Sequence, residues 1–167
     1  MKKIGIISDT HGVFDGTLER FLAATDEIWH AGDIGSAALM DRISRFKPLR
    51  AVYGNIDDAA TRAALEEYSF FRCENVSVLM THIGDYPGRY TPQTTQRILS
   101  LKPDIVITGH SHILKVMYDK RHELLHINPG AAGKYGMHTM RTAIRLEIDG
   151  ADIRNLEVGE WPKQERI

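Results

Sequence analysis

Cysteine is almost missing from this sequence. Cys73 is the single one in 167 residues, so no disulfide can form within the chain, and a disulfide-stapled scaffold is excluded. That usage suits a reducing cytoplasm, the compartment we expect, and Cys73 itself reads as a small buried hydrophobe. An excess of one charge is lacking too: Lys+Arg number 21 against 22 Asp+Glu, a net charge of -1. No broad cationic surface follows, so nucleic acid is not an expected partner. Long apolar runs are also absent. None approaches the ~20 residues needed to cross a bilayer, and no membrane partner is expected. Met1-Lys2-Lys3 imitates the basic end of a leader, but Ile4-Gly5-Ile6-Ile7 is too short for its apolar region. We expect a soluble, unprocessed chain.

With no repeat, low-complexity tract or Gly/Ser linker, the length fits one domain with a proper core. We place that domain at residues 1–158 and a polar tail at 159–167, apolar only at Trp161 and Ile167. The tail is expected to be loose or to dock on a partner subunit, which leaves a homo-oligomer open.

What is present is a rhythm. Ile4 to Ile7, Glu27 to Ala31 and Leu49 to Tyr53 read as strands, separated by helices at Thr17 to Ala24 and at Ala37 to Arg45, the latter capped by Ser36. Strand, helix, strand argues for a parallel sheet with right-handed crossovers. Farther along, Tyr68 to Arg72 and Val76 to Met80 flank a Glu74-Asn75 turn. Thr91-Pro92 opens a helix to about Leu101. Strands follow at Ile105 to Thr108, Leu114 to Tyr118, Leu124 to Ile127, Ala143 to Ile148 and Ile153 to Leu156, the last two joined by Asp149-Gly150. The pattern predicts an α/β fold with two mixed sheets packed together and helices outside.

The chemistry lies where strands stop. Five predicted strands run into Asp9-Thr10-His11, Gly32-Asp33, Gly54-Asn55-Ile56-Asp57, Thr81-His82 and Gly109-His110-Ser111-His112. In open α/β sheets ligands bind outside the carboxyl ends of the strands, so these scattered residues are poised to converge. Asp9/His11 and His110/His112 are spaced i, i+2, which puts each pair on one side of an extended segment. Carboxylate, amide oxygen and imidazole suit borderline divalent ions such as Mn, Fe, Zn, Co or Ni. The absence of cysteine from all five places argues against a closed structural zinc site. Any one of these residues alone reads as a turn, a cap or a packed histidine; together they read as a metal site.

In this order the five blocks, with Asn128-Pro129-Gly130 after them, resemble the calcineurin-like metallophosphoesterase signature. The likeness is to its short stand-alone phosphodiesterase branch, which includes the retromer scaffold subunit. The resemblance implies a four-layer αββα sandwich. It implies that Asp9, His11 and His112 hold one divalent ion, Mn first among the choices. Asn55, His82 and His110 then hold a second, with Asp33 bridging. It further implies hydrolysis of a small phosphodiester or monoester by in-line attack of a bridging hydroxide, with Asp33, Asn55, His82 and Asp57 closest to the chemistry. Asp57 is placed either to accept a hydrogen bond from a ligating imidazole or to serve as a turn or cap before Ala59 to Leu65.

Two departures stand out. Many members carry a histidine between the Asn and Asp of the third block, where this chain has Ile56, which cannot donate a proton. Ile83 separates His82 from Gly84 where the family often has Thr-His-Gly. Other residues attract weaker readings. His30 reads as packed, and His122 and His126 as structural residues near a hairpin remote from the strand ends. His138 follows a glycine-rich stretch within reach of the site. Arg89, Lys134 and Arg141 read as surface cations before phosphate contacts. The alternatives to an enzyme of small phosphate esters are a protein-binding scaffold on the same fold and a nuclease. Intact ligands count against the first, and near-neutral charge against the second.

Overall fold

The computed structural model describes residues 1–164. The first strand is β1 (Lys2–Ile7), whose alternation already divides the protein into layers. Ile4 and Ile6 join one apolar cluster and Ile7 another, all fully buried, because successive side chains leave a strand on opposite faces. Helix α1 (Gly16–Leu22) follows, then β2 (Glu27–His30), α2 (Ala37–Phe46) and β3 (Leu49–Ala51). Strands β1, β2 and β3 pair in parallel. Asp15 caps α1 by accepting from Leu18 N, and Ser36 caps α2 in the same way through Leu39 N. Both helices lay their buried leucines and Ile43 over the outer face of this sheet, against Ile7 and Ile28.

A short helix α3 (Ala59–Ala64) leads to the antiparallel pair β4 (Tyr68–Cys73) and β5 (Val76–Thr81). Helix α4 (Pro92–Leu101) begins at the Thr91 cap, with Pro92 in its first turn as the sequence predicts. Strands β6 (Ile105–Ile107), β7 (Lys115–Asp119) and β8 (Leu124–Asn128) complete a second sheet of order β4-β5-β6-β8-β7. Ile98 of α4 packs over Leu79, Val106 and Leu124 of this sheet. Strands β9 (Met140–Asp149) and β10 (Asp152–Pro162) return to the first sheet, giving β10-β9-β1-β2-β3.

The inner faces of the two sheets meet through Ile4, Ile6, Trp29, Val78, Met80, Ile107, Ile127 and Ile144. Each such side chain contributes roughly 1.5–3 kcal/mol on burial. The layers therefore run helix, sheet, sheet, helix, an α/β sandwich of two mixed sheets. At one end the two hairpin turns lock together: Asn75 N donates to Gly150 O at 2.9 Å and Gly150 N to Glu74 Oε1 at 2.6 Å. The other end gathers the carboxyl ends of the parallel strands of both sheets.

Strand β10 runs past the point where the sequence places a polar tail. Residues Gly159 to Pro162 pair with Ala143 to Met140, and Trp161 packs edge-on against Phe21 with ring centroids 5.3 Å apart. The tail reading is corrected for 159–162 by this pairing, and residues 165–167 lie outside the described residues. No helix among the described residues is long and apolar enough to cross a membrane.

Candidate metal centre

The loops that leave β1, β2, β5 and β6 are stitched together before any ligand is considered. Asp9 N donates to Gly32 O, His11 N to Asp33 O, and Gly109 N to His82 O. These bonds draw Asp9, His11, Asp33, His82, His110 and His112 to one place. Ligand atoms of Asp9, His11 and His112 lie within 4.8 Å of one another, as do those of Asp33, His82 and His110. The two groups touch: Asp33 Oδ2 is 3.5 Å from His11 Nε2 and 3.1 Å from His82 Nε2. Asn55 Oδ1 lies 3.1 Å from His110 Nδ1. All seven residues expected as ligands are brought together.

The backbone is strained to do this. Asp9, His11, Asp33, His110 and His112 all have positive φ, between 43° and 72°, a region that costs side-chain-bearing residues free energy and concentrates at functional sites. Two glycines make room. Gly32 has φ 102°, and a methyl there would press on the His82 ring; a methyl on Gly54 would occupy the position of the Asp33 carboxylate.

Each ligand is oriented by a partner on its far side. Ser8 Oγ and His110 N donate to Asp9 Oδ2 at 2.7 and 3.1 Å, leaving Oδ1 free. Ile56 N donates to Asp33 Oδ1 at 3.0 Å, leaving Oδ2 free. His82 Nδ1 meets Ala31 O at 2.7 Å, which puts the ring proton on that nitrogen and turns the Nε2 lone pair toward the carboxylates. Asp9 Oδ1, His11 Nε2 and His82 Nε2 are buried and have no hydrogen-bond partner. Buried polar atoms are normally paired, so three orphaned donors facing one another are what a cation would satisfy. The residues present fit a pair of divalent ions.

Electrostatics agrees. Burial opposes charge on Asp9, but His11, His112, His82 and Ser8 outweigh it and hold the carboxyl well below its usual range. Asp33 is likewise opposed by burial and lowered mainly by His82. Burial disfavours charge on His82, yet the two aspartates raise its pKa overall. Both carboxylates are thus ionised and ready to coordinate.

Asp57 is corrected. Its carboxylate accepts from Gly35 N at 3.1 Å and Gly54 N at 2.8 Å, with no imidazole among its partners. The cap of α3 is Asp58, whose side chain accepts from Thr61 N. Asp57 instead ties the turn carrying Asn55 to the loop that follows Asp33, because two backbone N–H groups there need a buried acceptor. Arg62 went unremarked in the sequence, one of many solvated cations there. Its guanidinium donates to Asp57 O and Asn55 O at 2.9 and 3.0 Å, and it lines a cavity of about 250 Å³ beside Asn55 and His82.

The remaining residues divide clearly. His30 is packed as expected, bonded through Nε2 to Thr10 Oγ1 and through Nδ1 to Gly32 N. Burial pushes its pKa down to about 3. His138 backs His112, with ring centroids 5.2 Å apart, and Lys134 lines the open groove that His110 and His112 share. Arg141 is buried in a bidentate pair with Asp15, at 2.8 and 3.0 Å, and so does not face phosphate. Arg89 is exposed, its backbone N–H donating to Tyr86 O in the loop before α4. His122 pairs with Asp119 at 2.7 Å on the β7–β8 turn. His126, read as remote, instead lines a cavity that adjoins His110.

A sequence family described as the calcineurin-like phosphoesterase superfamily domain matches residues 1–151. A protein named as a probable metallophosphoesterase of Methanothermobacter thermautotrophicus is 30% identical over 161 residues, covering 88% of this chain and 86% of that one. Among solved structures, Vps29 of Chaetomium thermophilum gives a TM-score of 0.76 at 16% identity, covering 96% of this chain and 97% of that one. A protein described as a novel archaeal phosphodiesterase gives 0.70 at 22% identity, covering 93% and 99%. These likenesses show the shared fold, two mixed sheets between helices. From the family match over residues 1–151, the chain belongs to the calcineurin-like phosphoesterase superfamily.

Proposed function

We propose that this chain hydrolyses small phosphate esters, phosphodiesters or monoesters, at a dinuclear metal centre shared by Asp33. The observation that carries the reading is the set of buried, unpartnered donors Asp9 Oδ1, His11 Nε2 and His82 Nε2 beside Asp33 Oδ2. Asp9, His11 and His112 would hold one ion, and His82, His110 and Asn55 the other, with Mn the first choice. Two divalent ions, when bound, lower the pKa of water to make a nucleophile at neutral pH and neutralise charge on a phosphate between them.

The chain's own residues supply the rest. Asp33 presents one oxygen to both groups of histidines, while Ile56 N fixes the other. The two ionised aspartates return two negative charges against four from the ions, so the centre stays cationic and attracts an anionic ester. Arg62 clamps the Asn55 carbonyl and brings a fixed positive charge to the neighbouring cavity. Ile56, 45% exposed at the site's edge, has no proton to give the leaving oxygen.

A relative named as a probable metallophosphoesterase and a structural neighbour described as a phosphodiesterase support this reading. Vps29 neighbours keep a scaffold role as the competing reading, but the complete donor set favours catalysis, and the net charge of -1 disfavours a nuclease. Metal analysis of the purified protein, with a Mn-supplemented assay on an aryl phosphodiester and the matching monoester, tests the proposal. Wild type should be active and metal-loaded, and Asp33→Ala and Asn55→Ala should lose turnover. Inactivity of wild type across Mn, Zn, Fe, Co and Ni would overturn it.

A further inference from the structure

Next to the metal centre is a second space with a different character. A cavity of about 450 Å³ begins at His110 and is floored by His126 on the outer face of the second sheet. Its walls include Ile83 and Ile113, which are 45% and 63% exposed. Apolar surface facing water beside a phosphate site has no use for the phosphate itself. Tyr86 adds an aromatic wall, with Lys115 Nζ 4.0 Å from the ring centroid. Cavities of this size, apolar with a few placed polar groups, take small organic ligands.

His126 supplies the placed group. Leu124, His126 and Asn128 alternate onto one face of β8. Leu124 enters the core under α4, while Asn128 Nδ2 donates to Gly109 O at 3.1 Å. His126 between them is 0% exposed, and its Nδ1 lies 2.8 Å from the Tyr90 hydroxyl. Burial raises the Tyr90 pKa and keeps the phenol protonated, and its hydroxyl engages Nδ1 as donor or as acceptor. That bond occupies one ring nitrogen and leaves Nε2 as the other polar atom of the ring. Burial also holds the ring neutral, its pKa pushed down to about 4. Nε2 is buried with no partner, a polar atom left unsatisfied on a residue that floors the cavity.

The geometry points to this cavity as the subsite for the organic group of the ester: a flat heteroaromatic, such as the base of a nucleoside, lying among Ile83, Tyr86 and Ile113 with a polar ring atom on His126 Nε2. The neighbouring role of the metal centre rests on the phosphoesterase reading; binding in the cavity does not. Ring faces stack on aromatic side chains without needing a fixed sequence of hydrogen bonds, and Nε2 selects rings that carry a polar edge. A methyl ester would leave the cavity unused.

Adenosine titrated into chelator-treated protein, followed by ligand-observed NMR with ribose as the control, tests the subsite without catalysis. Adenosine should bind and ribose should not. His126→Leu should weaken adenosine binding roughly 2- to 10-fold, the worth of one neutral hydrogen bond, and His126→Gln, which retains a polar end that can donate or accept, should recover part of it. Ile113→Asp, on the exposed rim where folding is not at stake, should also weaken it. On metal-loaded protein, the ratio of kcat/KM for an adenosine ester to that for a methyl ester should fall in His126→Leu and Ile113→Asp. No adenosine binding, or equal affinity in wild type and both weakened variants, would overturn the subsite even if phosphodiester turnover were intact. Adenosine binding that these variants weaken, in a protein inactive on every ester, would keep the subsite and remove the phosphoesterase reading.

Discussion

Asp57→Ala separates a brace from a catalyst. The Asp57 carboxylate is 4% exposed and receives Gly54 N at 2.8 Å and Gly35 N at 3.1 Å. Truncation leaves both amides without an acceptor, at about 1–3 kcal/mol for each buried one. Gly35 N is only partly buried and water can take the place of its partner, so the sum should fall near about 2–4 kcal/mol. For a chain of this length that corresponds to a Tm lower by roughly 5–15 °C. The same loss frees the turn carrying Asn55 and the loop after Asp33, so metal affinity should drop about 10–100-fold, as when groups behind ligands are removed. Unfolding in chelator gives the first quantity and Mn titration the second. At saturating Mn, Asp57→Ala should regain most of its turnover, because Asp57 touches no reacting atom. Wild-type Tm and Mn affinity in the variant would refute the brace, and turnover lost at full metal occupancy would return Asp57 to the chemistry.

Gly54→Ala places a methyl where the Asp33 carboxylate sits; about 1–3 kcal/mol of stability should be lost by overpacking, with Mn binding weakened in the same titration. In metal-free protein, His30 and His126 are held neutral with pKa values near about 3 and about 4. The unfolded chain protonates them near 6.5, so stability should fall as pH drops from about 6.5 toward 4, by about 2 kcal/mol for each at pH 5. His82, with a raised pKa, contributes in the opposite sense; comparing urea unfolding of wild type and His126→Gln at pH 8 and pH 5 isolates the His126 share, and equal losses would refute it. Because protons compete with metal for His82 and its neighbours, Mn occupancy and turnover should decline together on acidification, measurable by equilibrium dialysis beside the assay. Since Ile56 cannot protonate the leaving oxygen, rates across aryl diesters should fall steeply as leaving-group pKa rises; a flat series would point to a proton donor elsewhere.

Much of this was legible where local signals were strong. Ile4 to Ile7 and Ile105 to Ile107 are apolar runs buried on both faces, and the Asp149-Gly150 signal marks the hairpin whose two-residue loop is Gly150-Ala151. The ligands were legible because each stands just past a strand whose end is easy to find. Strand β10 was not legible in its full length. It alternates exposed polar residues along a sheet edge and carries a register shift between Arg154 and Glu157, with Asn155 at φ 54°, so periodicity fails halfway. The tie made by Asp57, the clamp of Arg62 and the cavity beside His126 were not legible for a related reason. The partners of these residues are Gly35 N, backbone carbonyls and Tyr90, none of them visible as a pattern of residue types.

The positive φ angles were illegible too, and they say most about how the site is built. Five of the ten non-glycine residues with positive φ among the described residues are proposed ligands. At the low end of about 1 kcal/mol each, they hold of the order of 5 kcal/mol in the metal-free chain, comparable with the whole stability of many domains. Two ionised aspartates and three orphaned donors in the same few ångströms add to that cost. The ladders of both sheets and the stitched loops must outweigh it, since nothing local favours these angles. Divalent ions relieve the orphaned donors and the charge while leaving the strain in place. Metal should therefore stabilise the fold as its concentration passes its Kd, by about 2.7 kcal/mol at a hundred times Kd, which raises Tm by roughly 5–11 °C for a chain of this length. A melting curve indifferent to Mn and to chelator would mean that this strained cluster holds no metal at all.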